Sequence, residues 1–461
     1  MRVLSTIAFS AADLRGTLGR TALGLAAAAA LGLTGLACSE FEAPEPVETA
    51  PPVAGTEPSV PAPAPRPAVR GLWVLCEGSQ RVLEDAARVE GLVADARALG
   101  TTDLLVQVYR GGRAWYDATL ADPAPYRQIL ASVGHDTLAD LIERAHAAGI
   151  RVHAWVNVLS LSHNVDAPLV RDLGPGAVHV DRRGRSLLSY PGLEMPAPDG
   201  DWYRMGTRGV YLDPAAPGVS ERLAATFAEL VARYPGLDGL HLDYVRHPDV
   251  LPFVPGSRFG VGMDFGYGEG SRLRFQRETG LRAPVEGSMV NTNRWDEWRR
   301  QKVTDLVARI RSEAQAARPG LLLSAAVASH VDRAYLSLAQ DWKGWLEAGL
   351  IDVAVPMAYT LDDRLFRYQV ESFASGPDAD RIWPGLGVWL FAENPEGALE
   401  QLEILRAAGA AGEALFSYDS IADAPRLLAA LSAGRAPAAA SGVDRSVPAP
   451  ATEGGDGASG S

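Results

Sequence analysis

The sequence predicts an α/β protein built as a (β/α)8 barrel, for three reasons. Short β-branched runs alternate with stretches rich in Ala, Leu, Arg and Glu over residues 70–433, a pattern typical of a parallel sheet covered by helices. Eight such units can be counted, which is the number that closes this kind of barrel. Several helical stretches also end at a glycine just before the next strand, a common stop signal for a helix. A doubly wound sheet is the alternative, but no glycine-rich phosphate loop follows the first predicted strand.

The predicted elements follow one another in strand–helix order. The eight strands are expected at residues 71–75, 103–109, 151–158, 239–244, 321–328, 353–359, 385–390 and 414–418. The main helices are expected at residues 82–99, 138–148, 220–234, 295–317, 342–348 and 398–408. The two longest connections, 160–211 and 246–293, follow the third and fourth strands. Both leave from the carboxyl ends of strands, where barrel enzymes carry their active sites, so we expect them to be functional.

The two ends of the chain differ in composition from the part that is expected to fold. Residues 1–38 have the pattern of an export signal, because their apolar run is too short for a comfortable membrane span. This run ends just before Cys38 in a pattern that resembles a bacterial lipobox. We therefore expect a lipid on Cys38 and an outer-membrane lipoprotein of the bacterial cell envelope, with ordinary secretion as the alternative. Composition predicts a disordered proline-rich tether at 39–68 and a disordered tail at 435–461, which leaves 69–434 as one folded domain.

The charge balance and the cysteine count exclude several classes of protein. The chain has 43 Lys and Arg against 56 Asp and Glu, which argues against a protein that holds nucleic acid by its phosphates. Two cysteines cannot form a disulfide framework, and Cys76 is expected to be a small buried residue. Four histidines could suggest a metal site, but their spacing fits no familiar ligand pattern. We expect neither a metal nor a cofactor, and a metal-dependent barrel hydrolase such as a deacetylase is the alternative.

Polar and aromatic residues are concentrated near the ends of the predicted strands. Alternate residues of a strand share a face, so one face of each strand should point into the barrel mouth. Polar side chains there are costly unless they serve a site or a satisfied network. His241 fits a substrate contact and a buried scaffold equally well. The expected substrate-binding residues are Gln107, Tyr109, His153, Trp155, Asn157, His241, Tyr244, Arg246, Tyr359, Trp389 and Tyr418.

Asp243 is the strongest single candidate for a catalytic group. It ends the hydrophobic fourth strand and is followed closely by Tyr244 and Arg246. A neighbouring arginine would favour its ionised form, while apolar walls would raise its pKa. An Asp–Arg pair that only fixes the loop is the alternative.

Six segments together resemble a known family. They lie at residues 70–74, 152–157, 238–248, 340–345, 352–359 and 415–419, in the order that the family has them. In these segments the chain resembles the bacterial glycosyl-hydrolase-like family ten. The resemblance implies a TIM-like barrel that acts on glycans. For some members it implies bacterial cell-wall glycan strands from which the peptides have been removed.

A glycosidase of the usual kind needs a second carboxylate opposite the first. The two carboxyl groups lie about 5 Å apart in retaining enzymes and about 6.5–9.5 Å apart in inverting ones. Glu77 after strand one and Asp419 at the end of strand eight are ranked first, because they lie closest to their strand ends. The other candidates are Asp362, Asp363 and Glu393.

The function expected from these observations is an exported glycoside hydrolase that cleaves a polysaccharide, peptidoglycan glycan strands being one such substrate, by carboxylate acid–base catalysis. The partners are then the glycan and, through Cys38, a membrane, while no protein partner can be inferred. The alternative is a non-catalytic glycan-binding envelope lipoprotein, which would keep the aromatic cleft but lack a competent pair of carboxylates. Aromatic rings suit either function, because apolar sugar faces stack on them.

Overall fold

The computed structural model describes residues 69–252, 263–284 and 288–434. The expected export signal, the tether, the tail and Cys38 lie outside the described residues. Among the residues described, no helix is both long and apolar enough to cross a membrane.

Eight parallel strands form a closed barrel, which confirms the predicted fold class. Each strand pairs with the next one along the chain, and the first strand also pairs with the last, which closes the sheet. The strands are β1 (Val69–Val74), β2 (Asp103–Arg110), β3 (Arg151–Asn157), β4 (Gly239–Asp243), β5 (Leu322–Ala328), β6 (Val353–Met357), β7 (Gly385–Gly387) and β8 (Gly412–Phe416). All eight overlap the predicted strands, and the largest difference is at the carboxyl end of β7, which stops at Gly387.

Helices of very different lengths surround the barrel. Those within the described residues are α1 (Ala86–Leu99), α2 (Ala124–Val133), α3 (Thr137–Ala147), α4 (Pro168–Leu173), α5 (Val219–Arg233), α6 (Glu269–Thr279), α7 (Thr292–Ala317), α8 (Val331–Ser337), α9 (Trp342–Glu347), α10 (Asp363–Ala374), α11 (Pro395–Ala407), α12 (Tyr418–Ala422) and α13 (Pro425–Ala433). Local capping explains several of the boundaries. Asp85 accepts a hydrogen bond from the Ala87 backbone at the start of α1, and Gly100 ends that helix with φ 70°.

Two apolar layers follow from the alternation of side chains along each strand. Outward-facing residues such as Leu104 and Leu240 pack under the helices in the larger cluster. Inward-facing residues such as Trp73, Leu105 and Trp155 fill the barrel itself. Because the interior is filled by side chains, the open space of the fold is at the carboxyl ends of the strands.

The two long excursions after β3 and β4 are joined to each other. Residues Tyr203–Met205 of the first excursion pair antiparallel with residues Val250–Pro252 of the second. Trp295 and Trp298 at the start of α7 stack with their ring centroids 5.1 Å apart, and they pack against Phe275 of α6. The described parts of the two excursions are therefore joined by backbone pairing, and the second packs against the start of α7.

Candidate active site

Asp243 lies at the carboxyl end of β4, next to Asn157 at the end of β3. The residue is 7% exposed, and its carboxylate accepts two hydrogen bonds from within the protein. The Trp155 indole Nε1 donates to Asp243 Oδ2 at 3.1 Å, and the Tyr244 backbone N donates to Asp243 Oδ1 at 2.7 Å. These contacts hold the carboxyl group in one orientation at the mouth of the barrel.

The surroundings of Asp243 favour a bound proton more than those of an ordinary aspartate. Burial raises its pKa, and this effect outweighs the opposing influence of the Arg246 charge, the hydrogen bonds from Tyr244 and Trp155, and the Arg110 charge. A carboxyl group whose pKa is raised by burial is suited to general acid catalysis.

Arg246 stays charged although it is buried. Its guanidinium lies over the Tyr244 ring, 5.0 Å from the centroid, and the residue is 9% exposed. Burial alone would lower the pKa of Arg246, but the nearby Tyr211 and Tyr244 hydroxyls and the Asp249 and Asp243 carboxylates raise it. Tyr244 itself has a left-handed backbone, with φ 52°, which places its amide over the Asp243 side chain. Two predicted site residues, Tyr244 and Arg246, thus surround Asp243.

Glu77 follows β1 and is held by two arginines. Arg113 Nη2 lies 2.5 Å from Glu77 Oε1, and Arg110 Nε lies 3.5 Å from Glu77 Oε2. The Glu77 side chain is 28% exposed, so solvent reaches it. The charge of Arg110 also opposes, as the smallest of the named effects, the rise in the pKa of Asp243. Glu77 is thus a carboxylate with two guanidinium groups within ion-pair distance.

The sequence pattern missed Arg110 because β2 contains an irregularity. The pairing of β2 with β3 shifts between Gln107 and Tyr109, which is a β-bulge. Tyr109 is turned out of the barrel and packs edge-on against Phe227 of α5. The expected alignment of Gln107 with Tyr109 in the mouth is therefore wrong, and Arg110 takes the position at the mouth instead.

Two glycines complete the turn that presents these arginines. Gly111 and Gly112 have φ values of 63° and 75°, and Arg110 and Arg113 pair across the turn. The Asn164 side chain donates to the Gly111 carbonyl at 2.7 Å, which ties the turn to the excursion after β3. Two arginines flanking Gly-Gly directly after a strand are the sequence signal that could have identified the pair.

Asp419 supports the loop that carries Glu77. It is 5% exposed and accepts hydrogen bonds from the backbone N of Gln80 at 2.9 Å and of Leu75 at 3.4 Å. Its carboxylate also fills the space that a side chain on Gly78 would need. Burial raises the pKa of Asp419, while the same backbone donors oppose that rise. These contacts give Asp419 a supporting position, and its predicted catalytic role is not needed to explain its burial.

The two histidines predicted for the site lie within the barrel interior. His153 is fully buried near the start of the strands, where its Nε2 lies 2.8 Å from Asp103 Oδ1. His241 accepts a hydrogen bond from Trp73 Nε1 at 3.0 Å, and its Nδ1 lies 2.8 Å from Ser324 Oγ. Burial, and to a smaller extent His153, lowers the pKa of His241 to about 3, so it is neutral. Of the two interpretations of His241, these contacts favour the buried scaffold.

A hydrogen-bonded network fills the floor of the mouth beside Asp243. Gln107 Nε2 donates to Asn157 Oδ1 at 3.1 Å, and Gln107 Oε1 accepts from the Cys76 thiol at 3.1 Å. All three residues are buried. Burial raises the pKa of Cys76, and the adjacent Glu77 charge adds to that rise, so the thiol is protonated. The network fixes the β1, β2 and β3 ends relative to one another.

The aromatic residues divide into those that reach the mouth and those that do not. Phe416, which the sequence pattern did not single out, has its ring centroid 6.3 Å from that of Trp155 and 5.6 Å from that of Tyr359. Its signal was its place at the end of β8, two residues after inward-facing Ala414. Trp389 lies in a 3-10 turn after the short β7. Its indole nitrogen and the Tyr359 side chain both lie beside Gly387. We therefore find four aromatic side chains on the β3 and β6–β8 side.

Tyr418 does not lie with them. β8 ends at Phe416, and Tyr418 is the first residue of α12. Its hydroxyl donates to Asp95 of α1 at 2.9 Å, which places the ring in the outer, helix-packed layer. The expectation that Tyr418 faces the mouth is thus corrected, because the strand ends two residues earlier than its pattern indicated.

The three remaining candidate carboxylates share no hydrogen-bond partner with Asp243. Asp362 caps α10 by accepting from the backbone N of Arg364 and Leu365, and Asp363 accepts from Gln401 Nε2 at 2.9 Å. Glu393 is exposed. Within the described ranges, no group of three or more His, Cys, Asp or Glu side chains is placed to hold a metal ion.

A polar pocket opens from the Glu77 side of the mouth. Its volume is about 520 Å³. One wall is the Arg110–Arg113 turn with Glu77, and the other is formed by the start of the excursion after β3, including His163 and Arg171. Both of these outer residues are exposed. Glu77 is therefore reached from a solvated pocket, whereas Asp243 is shielded beneath aromatic and arginine side chains.

Comparison with known proteins gives relatives for most of this region. The family model described as glycosyl hydrolase-like 10 matches residues 68–376. Glycosyl hydrolase DigH of Escherichia coli K12 is 24% identical over 280 residues, which cover 57% of this chain and 55% of that protein. Glycosyl hydrolase YngK of Bacillus subtilis 168 is 24% identical over 288 residues, covering 58% of this chain and 48% of that protein. The chain thus spans about half the length of these curated relatives.

Solved structures share the fold at lower sequence identity. The glycoside hydrolase domain of PgaB (BpsB) from Bordetella bronchiseptica superposes with a TM-score of 0.56 at 15% identity, covering 80% of this chain and 98% of that one. A cold-adapted β-galactosidase from Rahnella sp. R3 gives a TM-score of 0.51 at 12% identity, covering 81% of this chain and 58% of that one. At these identities the likeness concerns the barrel fold alone.

Proposed function

The chain belongs to the glycosyl hydrolase-like 10 family, and from this membership we propose that it is a glycoside hydrolase that uses Asp243 as its proton donor and Glu77 as its second carboxylate. The family makes the glycan the substrate class, and the residues at the barrel mouth supply the chemistry. The observation that carries the proposal is the contrast between the two carboxyl groups. Asp243 is buried with a raised pKa, whereas Glu77 is paired with two arginines and reached by solvent.

The proposed reaction moves one proton from Asp243 to the glycosidic oxygen as the bond from that oxygen to the anomeric carbon breaks. Glu77 then has one of two tasks, which depend on the separation of the carboxyl groups across the bound sugar. It attacks the anomeric carbon and forms a glycosyl ester that water later hydrolyses, or it accepts a proton from a water that attacks directly. The anomer that is released first distinguishes these two paths.

The aromatic side chains supply a binding surface for the sugar. Trp155, Tyr359 and Phe416 line the mouth next to Asp243, and sugar rings stack their apolar faces on such rings. Burial raises the pKa of Tyr359, with a further contribution from Asp243, so its hydroxyl keeps its proton and can donate to a sugar oxygen. The proposed cleft therefore has both stacking surfaces and hydrogen-bond donors beside the proton donor.

Hydrolysis is tested with the purified chain on peptidoglycan, on glycan strands from which the peptides have been removed, and on a panel of other polysaccharides. New reducing ends are counted for the wild type and for Asp243→Asn and Glu77→Gln. We expect activity on at least one glycan and a loss of about 100-fold or more in each variant, since each removes an essential proton-transfer or charged group. Glu393→Gln, at an exposed carboxylate after β7, is the matched control and should retain activity.

The outcome also decides between catalysis and binding alone. If the wild type releases no reducing ends from any glycan but still sediments with one of them, the chain is a glycan-binding protein with an incompetent carboxylate pair. If Asp243→Asn keeps full activity, Asp243 is not the proton donor.

For the substrate and the location, we propose peptide-free cell-wall glycan strands and the bacterial cell envelope. The support is the sequence pattern that ends at Cys38, together with the resemblance of the chain to a family in which some members act on such strands. Growth with labelled palmitate tests the anchor, because the label should enter the wild-type chain and be lost in Cys38→Ala. Label that persists in Cys38→Ala would rule out this anchor.

A further inference from the structure

Arg246 is a buried cation that has no anionic partner at the barrel mouth. The residue is 9% exposed, and its guanidinium stacks over the Tyr244 ring, 5.0 Å from the centroid. Among the residues that the structure describes, none accepts a hydrogen bond from this guanidinium and none forms an ion pair with it. Burying a charge without a partner costs free energy, so this arginine next to Asp243 points to a ligand that supplies the missing anion.

The acidic side chains nearest to Arg246 along the chain are engaged by other groups. Both carboxylate oxygens of Asp243 accept hydrogen bonds from other donors, at 2.7 Å and 3.1 Å. Asp249 forms an ion pair with Arg333 at 2.6 Å. The two arginines of the turn after β2 also have a partner, since both lie within ion-pair distance of Glu77. Arg246 therefore differs from these arginines in having its N–H groups available.

The backbone on both sides fixes Arg246 in this place. Val245 before it is fully buried, and the backbone N of His247 after it donates to the Leu338 carbonyl at 2.8 Å. Its guanidinium nitrogens are not among the described side-chain atoms that are both enclosed and without a partner, so they keep contact with solvent at the mouth. The fold thus presents a fixed cation at the place where the glycan is proposed to bind.

We propose that Arg246 binds a carboxylate of the glycan, so that the substrate is a polysaccharide with acidic sugar residues. This inference rests on the proposed function, because it concerns the glycan bound in that same mouth. A guanidinium that stacks on a ring keeps its N–H edge for a planar carboxylate, and the two form parallel hydrogen bonds. One cation close to Asp243 suits a monoanion better than a phosphate dianion, which an ionised Asp243 would repel more strongly.

The test compares acidic glycans with neutral copies of themselves. Two pairs of probes are used, soluble peptide-free cell-wall strands and short oligogalacturonates, each in its native form and after chemical reduction of the carboxyl groups to hydroxymethyl groups. Binding to the full chain is measured by isothermal titration calorimetry at low temperature, where turnover is slow. In at least one pair the wild type should bind the native form about 10-fold or more tightly, as expected for a charged hydrogen-bonded pair. No preference for the native form in either pair, absence of binding included, would overturn the proposal.

Three variants locate the preference at Arg246. Arg246→Gln should lower the affinity for the native probe about 10-fold or more and leave that for the reduced probe unchanged. Arg246→Lys keeps the charge but loses the planar pair, so its affinity for the native probe should be intermediate. Arg364→Gln, at an exposed arginine at the start of α10, is the matched control and should bind as the wild type does. A preference that survives in Arg246→Gln, or an equal loss in Arg364→Gln, would contradict the assignment.

The experiment stays decisive if Arg246→Gln fails to fold, which circular dichroism would show. The comparison of native with reduced probes needs only the wild type, and Arg246→Lys then carries the assignment: full wild-type affinity for the native probe in a folded Arg246→Lys would overturn the paired binding.

The outcome is separate from that of the proposed hydrolysis. If native and reduced glycans bind equally and release reducing ends equally, the hydrolase proposal stands and the acidic subsite does not. If a native probe binds through Arg246 but no glycan is cleaved, the acidic subsite stands and hydrolysis does not. Where cleavage is observed, Arg246→Gln should raise KM for the native glycan and leave KM for the reduced one unchanged, and an equal rise for both would contradict the subsite.

Discussion

The hydrogen bond from Trp155 to Asp243 gives a prediction that can be worked out in detail. Trp155→Phe keeps an aromatic ring in the mouth but removes the Nε1 donor that lies 3.1 Å from Asp243 Oδ2. This donor favours the ionised carboxylate, so its loss should raise the pKa of Asp243 further above its ordinary value. If Asp243 is the proton donor, the basic limb of kcat/KM against pH moves to higher pH.

The magnitude follows from the strength of such a bond. A hydrogen bond to a charged acceptor contributes about 1.5–3 kcal/mol, and a protonated carboxyl group keeps part of that interaction. If roughly half of it distinguishes the two protonation states, the pKa of Asp243 rises by about 0.5–1 unit. The assay is kcat/KM between pH 4 and 9, in steps of about half a unit, on the best soluble glycan.

The pH dependence of stability should change in the same direction. Because the folded-state pKa of Asp243 is raised, its protonated form contributes stability below the unfolded pKa, and this stability is lost as pH rises through the folded pKa. In Trp155→Phe the range over which stability falls should therefore extend to higher pH, as thermal melts across the same pH range would show.

A matched variant separates this effect from general loss of packing. Trp383 is another buried tryptophan of the same inner layer, and its indole packs against Gly412. Trp383→Phe should lower the melting temperature without moving the basic limb. A basic limb that moves to lower pH or stays in place in Trp155→Phe would refute the assignment of Asp243 as the buried proton donor.

Three further predictions concern the support of the site. Asp419→Ala removes the acceptor of two backbone N–H groups in the loop that carries Glu77. We expect the unfolding free energy, measured by urea denaturation, to fall by about 1–3 kcal/mol, and kcat to fall with it. An unchanged kcat would show that the loop does not depend on Asp419. Gly112→Ala should destabilise the chain more than Gly134→Ala. Both glycines have positive φ values, but only at Gly112 would the added Cβ meet a neighbouring side chain, that of Ala167. Equal losses of melting temperature in the two variants would contradict the tight turn. Tyr359→Ala should raise KM for a glycan about 10-fold or more in steady-state kinetics, because a stacking surface is lost. Tyr109→Phe should leave KM unchanged, because that hydroxyl faces the helix layer. A larger rise of KM in Tyr109→Phe than in Tyr359→Ala would contradict the two placements.

The barrel was predictable because its pattern is repeated and regular. Eight buried strands, each followed by amphipathic helix, leave few other ways to cover both faces of a parallel sheet. Asp243 was predictable for a related reason, since a carboxylate that ends such a strand has to face the mouth.

The errors arose where the backbone departs from strict alternation. Tyr109 was misplaced because a bulge adds one residue to β2, and only the pairing with β3 reveals it. Tyr418 was misplaced because β8 stops at Phe416 and a helix begins within two residues. The arginine pair on Glu77 joins residues from β1 and the turn after β2, and a contact between separate segments has no counterpart in the spacing of either one.

The short antiparallel pairing of Tyr203–Met205 with Val250–Pro252 makes the excursions after β3 and β4 one mechanical unit. The first of them contributes a wall of the pocket beside Glu77, and the second begins directly after Asp243. A displacement of one paired segment would move the other segment with it or break the backbone hydrogen bonds between them. A change of substrate preference by loop exchange would therefore require both segments to be transplanted together.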